Sequence, residues 1–251
     1  MDLELTGKRA LVTGGSRGIG KVIAEVLLAE GVDVAILARG REALEATASS
    51  LSRSYGRPVL PLVADTSDNS QVDAAVKKAI ESFGGVDILV NSAAVPGGSS
   101  SASSFIEIED EHVLLDLNVK VVGYLRTARA LAPHLIAKGW GRIINIGGLA
   151  AYHTGRPIAT LRNVGVSALT KNLADELGPK GINVVALHPG ATRTERTDAA
   201  SEQRAKGNGI GRIVDAKEVA YVVAFLASPK SVAINGDTIA TGGGTLGSIR
   251  Y

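Results

Sequence analysis

The chain has 251 residues, no cysteine, 45% hydrophobic residues and a formal net charge of +2 from 27 basic and 25 acidic side chains. That length can bury one large core, while the lack of thiols excludes disulfides, thiol nucleophiles and Cys-based metal sites and fits a reducing, cytoplasmic setting. Near-balanced charge and 4% aromatic residues supply neither the field nor the stacking platforms of a nucleic-acid binder, and neither a secretory leader nor a membrane span of about 20 apolar residues is expected.

Short branched apolar runs alternate with segments of helical periodicity along almost the whole chain. Lys8–Thr13 predicts a strand and Lys21–Glu30 a helix; Val32–Ala38 is a second strand and Arg41–Tyr55 a second helix. Val59–Ala64, Gln71–Phe83 and Val86–Asn91 continue as strand, helix and strand. The Gly- and Ser-rich stretch AAVPGGSSSASS then reads as a loop. A long apolar stripe from Glu107 to Lys138 predicts a helix with a break near Asp116 to Asn118. Arg142–Ile146 is a fifth strand, Arg162–Leu177 the core of a helix, and Val184–Leu187 a sixth strand. Residues 191–211 carry no pattern and suit a mobile lid over the substrate or disorder equally. Asp215–Ala227 predicts a helix capped by Asp215, and Asp237–Ala240 a last strand before Gly242–Gly244. This alternation predicts an α/β fold: a doubly wound parallel sheet between two helical layers, as a single domain over 1–251.

The first strand passes into the first helix through TGGSRGIG, Thr13 to Gly20. Glycines at 14, 15, 18 and 20 let a backbone approach a pyrophosphate, and the unpaired N–H groups at the start of the next helix favour its charge. Gly14, Ser16, Arg17, Gly18, Ile19 and Gly20 are therefore candidate cofactor-binding residues. The end of the second strand selects the cofactor. An acidic residue there would accept bonds from a ribose 2′-hydroxyl, but the chain has Ala38 followed by Arg39, with Arg17 facing the same corner. Two guanidiniums favour NADP(H) over NAD(H), unless both are solvated surface arginines.

These residues resemble the short-chain dehydrogenase/reductase family, of the single-domain kind, from about residue 5 to residue 244. TGGSRGIG resembles the family's TGxxxGxG, and Asp65, followed by Thr66, resembles its adenine-contacting Asp. Asn91, Ser92, Ala93 and Ala94 resemble its NxAG segment, with Ala94 in place of the glycine. Asn118 resembles the helix-break Asn, while Pro189, Gly190, Thr192 and Thr194 lie in a segment that resembles the PGxxxT closing over the nicotinamide. The resemblance implies a nicotinamide-dependent oxidoreductase, assembled as a homodimer or homotetramer through the long helix and the Arg162–Leu177 helix.

The family's carbonyl reduction uses a Tyr as proton donor, a Lys four residues later and a Ser that bonds the carbonyl. A phenol of pKa near 10 exchanges protons near neutrality only beside a cation. Alignment on SALTKNLADEL puts Gly148 at the Ser position, Leu161 at the Tyr position and Gly165 at the Lys position, and the chain contains no YxxxK. Tyr152 and His153, just after Gly148, are candidate acid/base recruits or pocket lining, with Asn118 as the remaining member of the catalytic group. Arg162 could reach an anionic substrate, although a helix-terminal or subunit-contact role suits it better. His188 is expected to pack at its strand end, His112 and His134 on a surface or interface, and Trp140 as a packing anchor; no His, Asp or Glu cluster has metal-ligand spacing. Three functions stay open: an NADP(H)-dependent oxidoreductase on a small carbonyl or alcohol with non-standard acid/base residues, a silent NADP(H)-binding sensor or structural subunit that pairs with an active homologue, and a non-redox enzyme in the same pocket.

Overall fold

The computed structural model describes residues 1–95, 104–205 and 207–244. Its elements run β1 (Arg9–Thr13), α1 (Gly18–Ala29), β2 (Asp33–Ala38), α2 (Arg41–Tyr55), β3 (Leu60–Val63), α3 (Asn69–Phe83) and β4 (Ile88–Asn91). After β4 come α4 (Asp110–Leu117), α5 (Gly123–Lys138), β5 (Gly141–Ile146), α6 (Pro157–Leu177), β6 (Ile182–Pro189), β7 (Thr192–Arg193), α7 (Ala199–Ala205), β8 (Val214–Asp215), α8 (Ala216–Ala227) and β9 (Thr238–Thr241). Seven strands form one parallel sheet in the order β3-β2-β1-β4-β5-β6-β9, and β7 pairs with β8 alone.

Both faces of the sheet are covered, which is why its strands read as continuous apolar runs. On one face Val12, Ile36 and Ile144 pack with Ile23 and Leu27 of α1, Leu44 of α2 and Val219 and Val223 of α8. On the other, the alternate residues Leu11, Leu37, Leu89 and Ile143 pack with Val72 and Val76 of α3, Leu131 and Leu135 of α5 and Leu177 of α6. Each such fully buried side chain contributes about 1.5–3 kcal/mol. At the opposite end from the glycine loop, buried Asp87 ties β1 to α5 through the Arg9 guanidinium and the Lys138 ammonium.

The structure departs from the sequence expectations in three places. The break in the long helix is a wide π-helical turn over Asn118–Val122, so α4 ends after Leu117 and the chain stays helical into α5. The helix expected from Arg162 starts five residues earlier, with Pro157 in its first turn where a missing N–H costs nothing. Residues 191–211 are not unpatterned, because they hold β7 and α7. Of the loop after β4, residues 96–103 lie outside the described residues.

The strand order reverses between β1 and β4, and this opens a crevice at their carboxyl ends. Thr13 Oγ1 fixes its floor by accepting from the N–H of Ser92 at 3.0 Å and of Ala93 at 3.2 Å.

Candidate active site

A cavity of about 550 Å³ occupies that crevice, within the range of ligand sites. One end is walled by Ala38, Arg39, Ala64 and Thr66, and the middle by the glycine loop. The other end is walled by Ala93, Ala94, Lys120, Ile146, Gly147 and Gly190. A dinucleotide laid across the switch point would put its adenosine at the β2 end, its pyrophosphate at the start of α1 and its nicotinamide at the β5–β6 end.

The residues fit that ligand. Gly14 has φ +69°, and a Cβ there would lie 2.8 Å from Ser92 O; at Gly20 a Cβ would collide with the Gly14 carbonyl. Only glycine lets the loop fold this tightly over the cavity floor. The Gly18 N–H, at the start of α1, already donates to a carboxylate, that of Glu195, which stands in for a phosphate oxygen. Ser16, Arg17, Ile19, Thr192 and Thr194 also line the cavity.

Arg39 points into the β2 end with a side chain 58% exposed and an ion pair of 3.5 Å to Asp65. Burial works against the Asp65 carboxylate, but the N–H and hydroxyl of Ser67 and the Arg39 guanidinium outweigh it and hold Asp65 below the usual carboxylate range. Asp65 thus braces Arg39 and is not itself a wall of the cavity, whose lining there comes from Ala64 and Thr66.

Three sequence-assigned residues serve beneath the site instead of in it. Asn91 is buried and spends its amide on Asn145 Oδ1 (2.9 Å) and Thr127 Oγ1 (2.7 Å), locking β4 to β5 and α5. Pro189 ends β6 inside the fold, and Asn118 joins the helical ladder, its N–H donating to Leu114 O and its carbonyl accepting from Arg126 at 3.2 Å. None of the three lines the cavity.

Helix geometry corrects the positions read as vacated by Tyr and Lys. Leu161 is 55% exposed, and a Cβ on Gly165 would face Val121 at 3.1 Å, so neither looks toward Gly148. The residue of α6 that faces Gly148 is Asn163, whose Nδ2 would lie 3.1 Å from a Cβ there; Ala159 precedes it by four residues on the same face. Ala159 and Asn163 therefore hold the two positions, and neither supplies an acidic proton. Tyr152 and His153 are exposed and outside the cavity walls, with the Tyr152 ring 5.4 Å from that of His188. His188 is buried, bonded to the Gly148 backbone and, at 3.0 Å, to Ser167 Oγ.

Periodicity missed the charged group at this end. Lys120, on the wide turn, is 4% exposed and lines the cavity. Its Nζ donates to Gly147 O at 3.0 Å and Asn163 Oδ1 at 2.8 Å. Burial, and then the nearby Arg162 guanidinium, lower its pKa to about 7 against the opposing pull of Asp116. Arg162 turns inward on α6, donating to Asp116 Oδ1 at 2.9 Å and to Val95 O at 3.3 Å. Tyr124 lies below, its hydroxyl donating to Ile146 O at 2.9 Å, and burial pushes that phenol well above its usual range. The signal for Lys120 was present as a lone cation in the apolar run LNVKVVGYL.

Among the described residues no group of three or more His, Asp or Glu could hold a metal ion, and no helix is long and apolar enough to cross a membrane.

A family model described as enoyl-(acyl carrier protein) reductase matches residues 14–245. The chain is 33% identical over 247 residues to the short-chain reductase protein NovJ of Streptomyces niveus, covering 94% of this chain and 92% of that one. It is 32% identical over 248 residues to the 3-oxoacyl-(acyl-carrier-protein) reductase FabG of Vibrio cholerae, covering 96% and 98%. L-sorbose reductase from Gluconobacter frateurii, solved with NADPH and L-sorbose, superposes with a TM-score of 0.90 at 30% identity, covering 99% and 100%. A short-chain dehydrogenase from Burkholderia cenocepacia in complex with NADP gives 0.86 at 35% identity, covering 96% and 98%. With its parallel sheet, its glycine loop at the switch point and these relatives along nearly its whole length, the chain belongs to the short-chain dehydrogenase/reductase family.

Proposed function

We propose that the protein is an NADP(H)-dependent oxidoreductase that acts on a small carbonyl or alcohol with acid/base groups other than the family's Tyr and Lys. The observation that carries this reading is the cavity itself, which runs from a two-arginine corner at β2 to a buried lysine at β5. Arg17 and Arg39 both line it, and Ala38 leaves room between them where an acidic residue would repel a 2′-phosphate. Reduced nicotinamide supplies the hydride when bound. The protein supplies the phosphate cradle, the floor fixed by Thr13 and a polar end from which a proton can move.

Fluorescence titration with NADPH and NADH, followed by a screen of small carbonyls and alcohols monitored by absorbance of the reduced cofactor, tests the reading. Tight NADPH binding with turnover is expected. Binding without turnover on any substrate favours the silent nucleotide-binding subunit, and absence of binding removes both.

Assembly is part of the same proposal. Leu115, Leu125, Leu161 and Val164 are exposed on α4, α5 and α6, and a homodimer or homotetramer would cover them. Sedimentation of the wild type beside Val164→Glu tests it, with a shift to a smaller species expected.

A further inference from the structure

We propose that Lys120 is the proton donor of this site, giving its ammonium proton to the carbonyl oxygen as the carbonyl carbon takes up hydride. The inference rests on the oxidoreductase reading above and assigns the acid that reading lacks.

Placement is the first argument. The wide turn at Asn118–Val122 brings Lys120 to the cavity end formed by Ile146, Gly147 and Gly190, the end left for the nicotinamide once the phosphates sit at α1. Donor count is the second. An ammonium has three N–H groups, and Nζ spends one on Gly147 O and one on Asn163 Oδ1. No third protein partner exists among the described residues, so one donor remains for a ligand in the cavity that Lys120 lines. Elimination is the third. Gly148 and Ala159 have no exchangeable side-chain proton, the Asn163 amide is engaged at both ends, and Tyr124 is committed to Ile146 O. Tyr152 and His153 lie outside the walls.

The surroundings tune the donor. Burial and Arg162 on α6 disfavour the ammonium, while Asp116 on α4 favours it, so the group titrates near neutrality. His188 on β6 lies behind Gly148, its ring engaged by the Gly148 backbone and Ser167. Through the step the carbonyl carbon gains a hydride from the reduced nicotinamide and its oxygen gains the Lys120 proton. The products are an alcohol, the oxidised nicotinamide and a neutral Lys120 amine, which regains its proton from solvent.

The test uses the full-length protein and has a binding arm and a turnover arm. In the first, NADP+ and NADPH affinities of wild type and K120M are measured calorimetrically between about pH 5.5 and 8.5. The two cofactors differ in the charge of the nicotinamide ring, so their phosphates cancel in the ratio. An ammonium beside the ring disfavours NADP+; the NADP+ to NADPH affinity ratio should rise as pH passes about 7 in wild type and stay flat in K120M. A flat ratio in wild type overturns the proposal whatever the turnover.

In the second arm, K120M and K120R should each lower kcat for carbonyl reduction by about 100-fold or more, because a guanidinium of pKa above about 12 keeps its proton. K120R with more than about a tenth of wild-type kcat would show that a fixed cation suffices and would overturn the donor role. Should either side chain distort the turn, K120G with added methylamine keeps the test decisive: amine-dependent recovery supports the donor, and none speaks against it. If the affinity ratio shifts with pH but wild type reduces no carbonyl, the oxidoreductase reading falls and the donor role with it. Turnover with a flat ratio removes Lys120 alone.

Discussion

The Gly18 N–H donates to both carboxylate oxygens of Glu195, at 3.0 and 3.2 Å. The start of α1 is thus held by an anion from the segment after β7, and Arg196 from the same segment approaches within 3.3 Å of where a Gly18 Cβ would be. A pyrophosphate would take the same donor, so cofactor entry must displace Glu195. The Glu195 side chain is 53% exposed, which limits the contact to about 1 kcal/mol. Glu195→Gln is expected to tighten NADPH binding about five-fold in a fluorescence titration; weaker binding would count against displacement.

Cofactor choice should reside at β2. Removing both guanidiniums in Arg17→Ala/Arg39→Ala should weaken NADPH binding by about ten-fold or more and leave NADH within about two-fold, as two charge-assisted bonds to a 2′-phosphate are lost. Equal losses for both cofactors would mean that the arginines serve the pyrophosphate or only the surface.

The Asp116–Arg162 pair bridges α4 and α6 with side chains 1% and 12% exposed. Breaking it leaves a buried charge, so Asp116→Ala should cost about 3 kcal/mol in urea unfolding. Asp116→Leu combined with Arg162→Met should recover most of that loss, because a buried pair is worth little against well-packed apolar side chains. A double variant as unstable as the single one would show that Arg162 is needed for its bond to Val95 O.

Lys120 should also leave a mark on stability. The folded protein releases this proton near pH 7, whereas the unfolded chain holds it up to its ordinary value of 10.5. Between those values the unfolded state carries the extra proton, so stability rises with pH across that window and is lost again as pH falls toward 7. The urea midpoint of wild type, taken relative to K120M, should climb from neutral to alkaline pH; parallel curves would show that Lys120 keeps its ordinary titration in the fold.

Sequence periodicity carried the sheet because strands buried on both faces cannot avoid reading as apolar runs, and TGGSRGIG marked the switch point through φ angles and contacts that only glycine tolerates. The cofactor corner was equally visible, since Arg17 and Arg39 sit beside local landmarks. What escaped was phase. The π-helical turn adds a residue to one turn and brings Lys120 to the cavity, out of step with the apolar stripe that predicts the long helix. On α6, aligning by motif ends put Leu161 and Gly165 where the helix actually turns Ala159 and Asn163 inward. Asp116, Arg162 and Glu195 act through partners 46 and 177 residues away in the chain, and no local pattern records such pairings.

The bond between Lys120 and Asn163 has one more consequence, for how such proteins are recognised. The family pattern places its cation on the helix after β5; here the cation comes from the wide turn that follows the helix-break Asn118, and an amide on α6 meets it at 2.8 Å. A search keyed to spacing along one helix finds this pocket stripped of charge. One keyed to what stands at the end of β5 finds the Lys120 ammonium, so degenerate members of a family are better sorted by the coordinates of their functional atoms than by the order in which the chain delivers them.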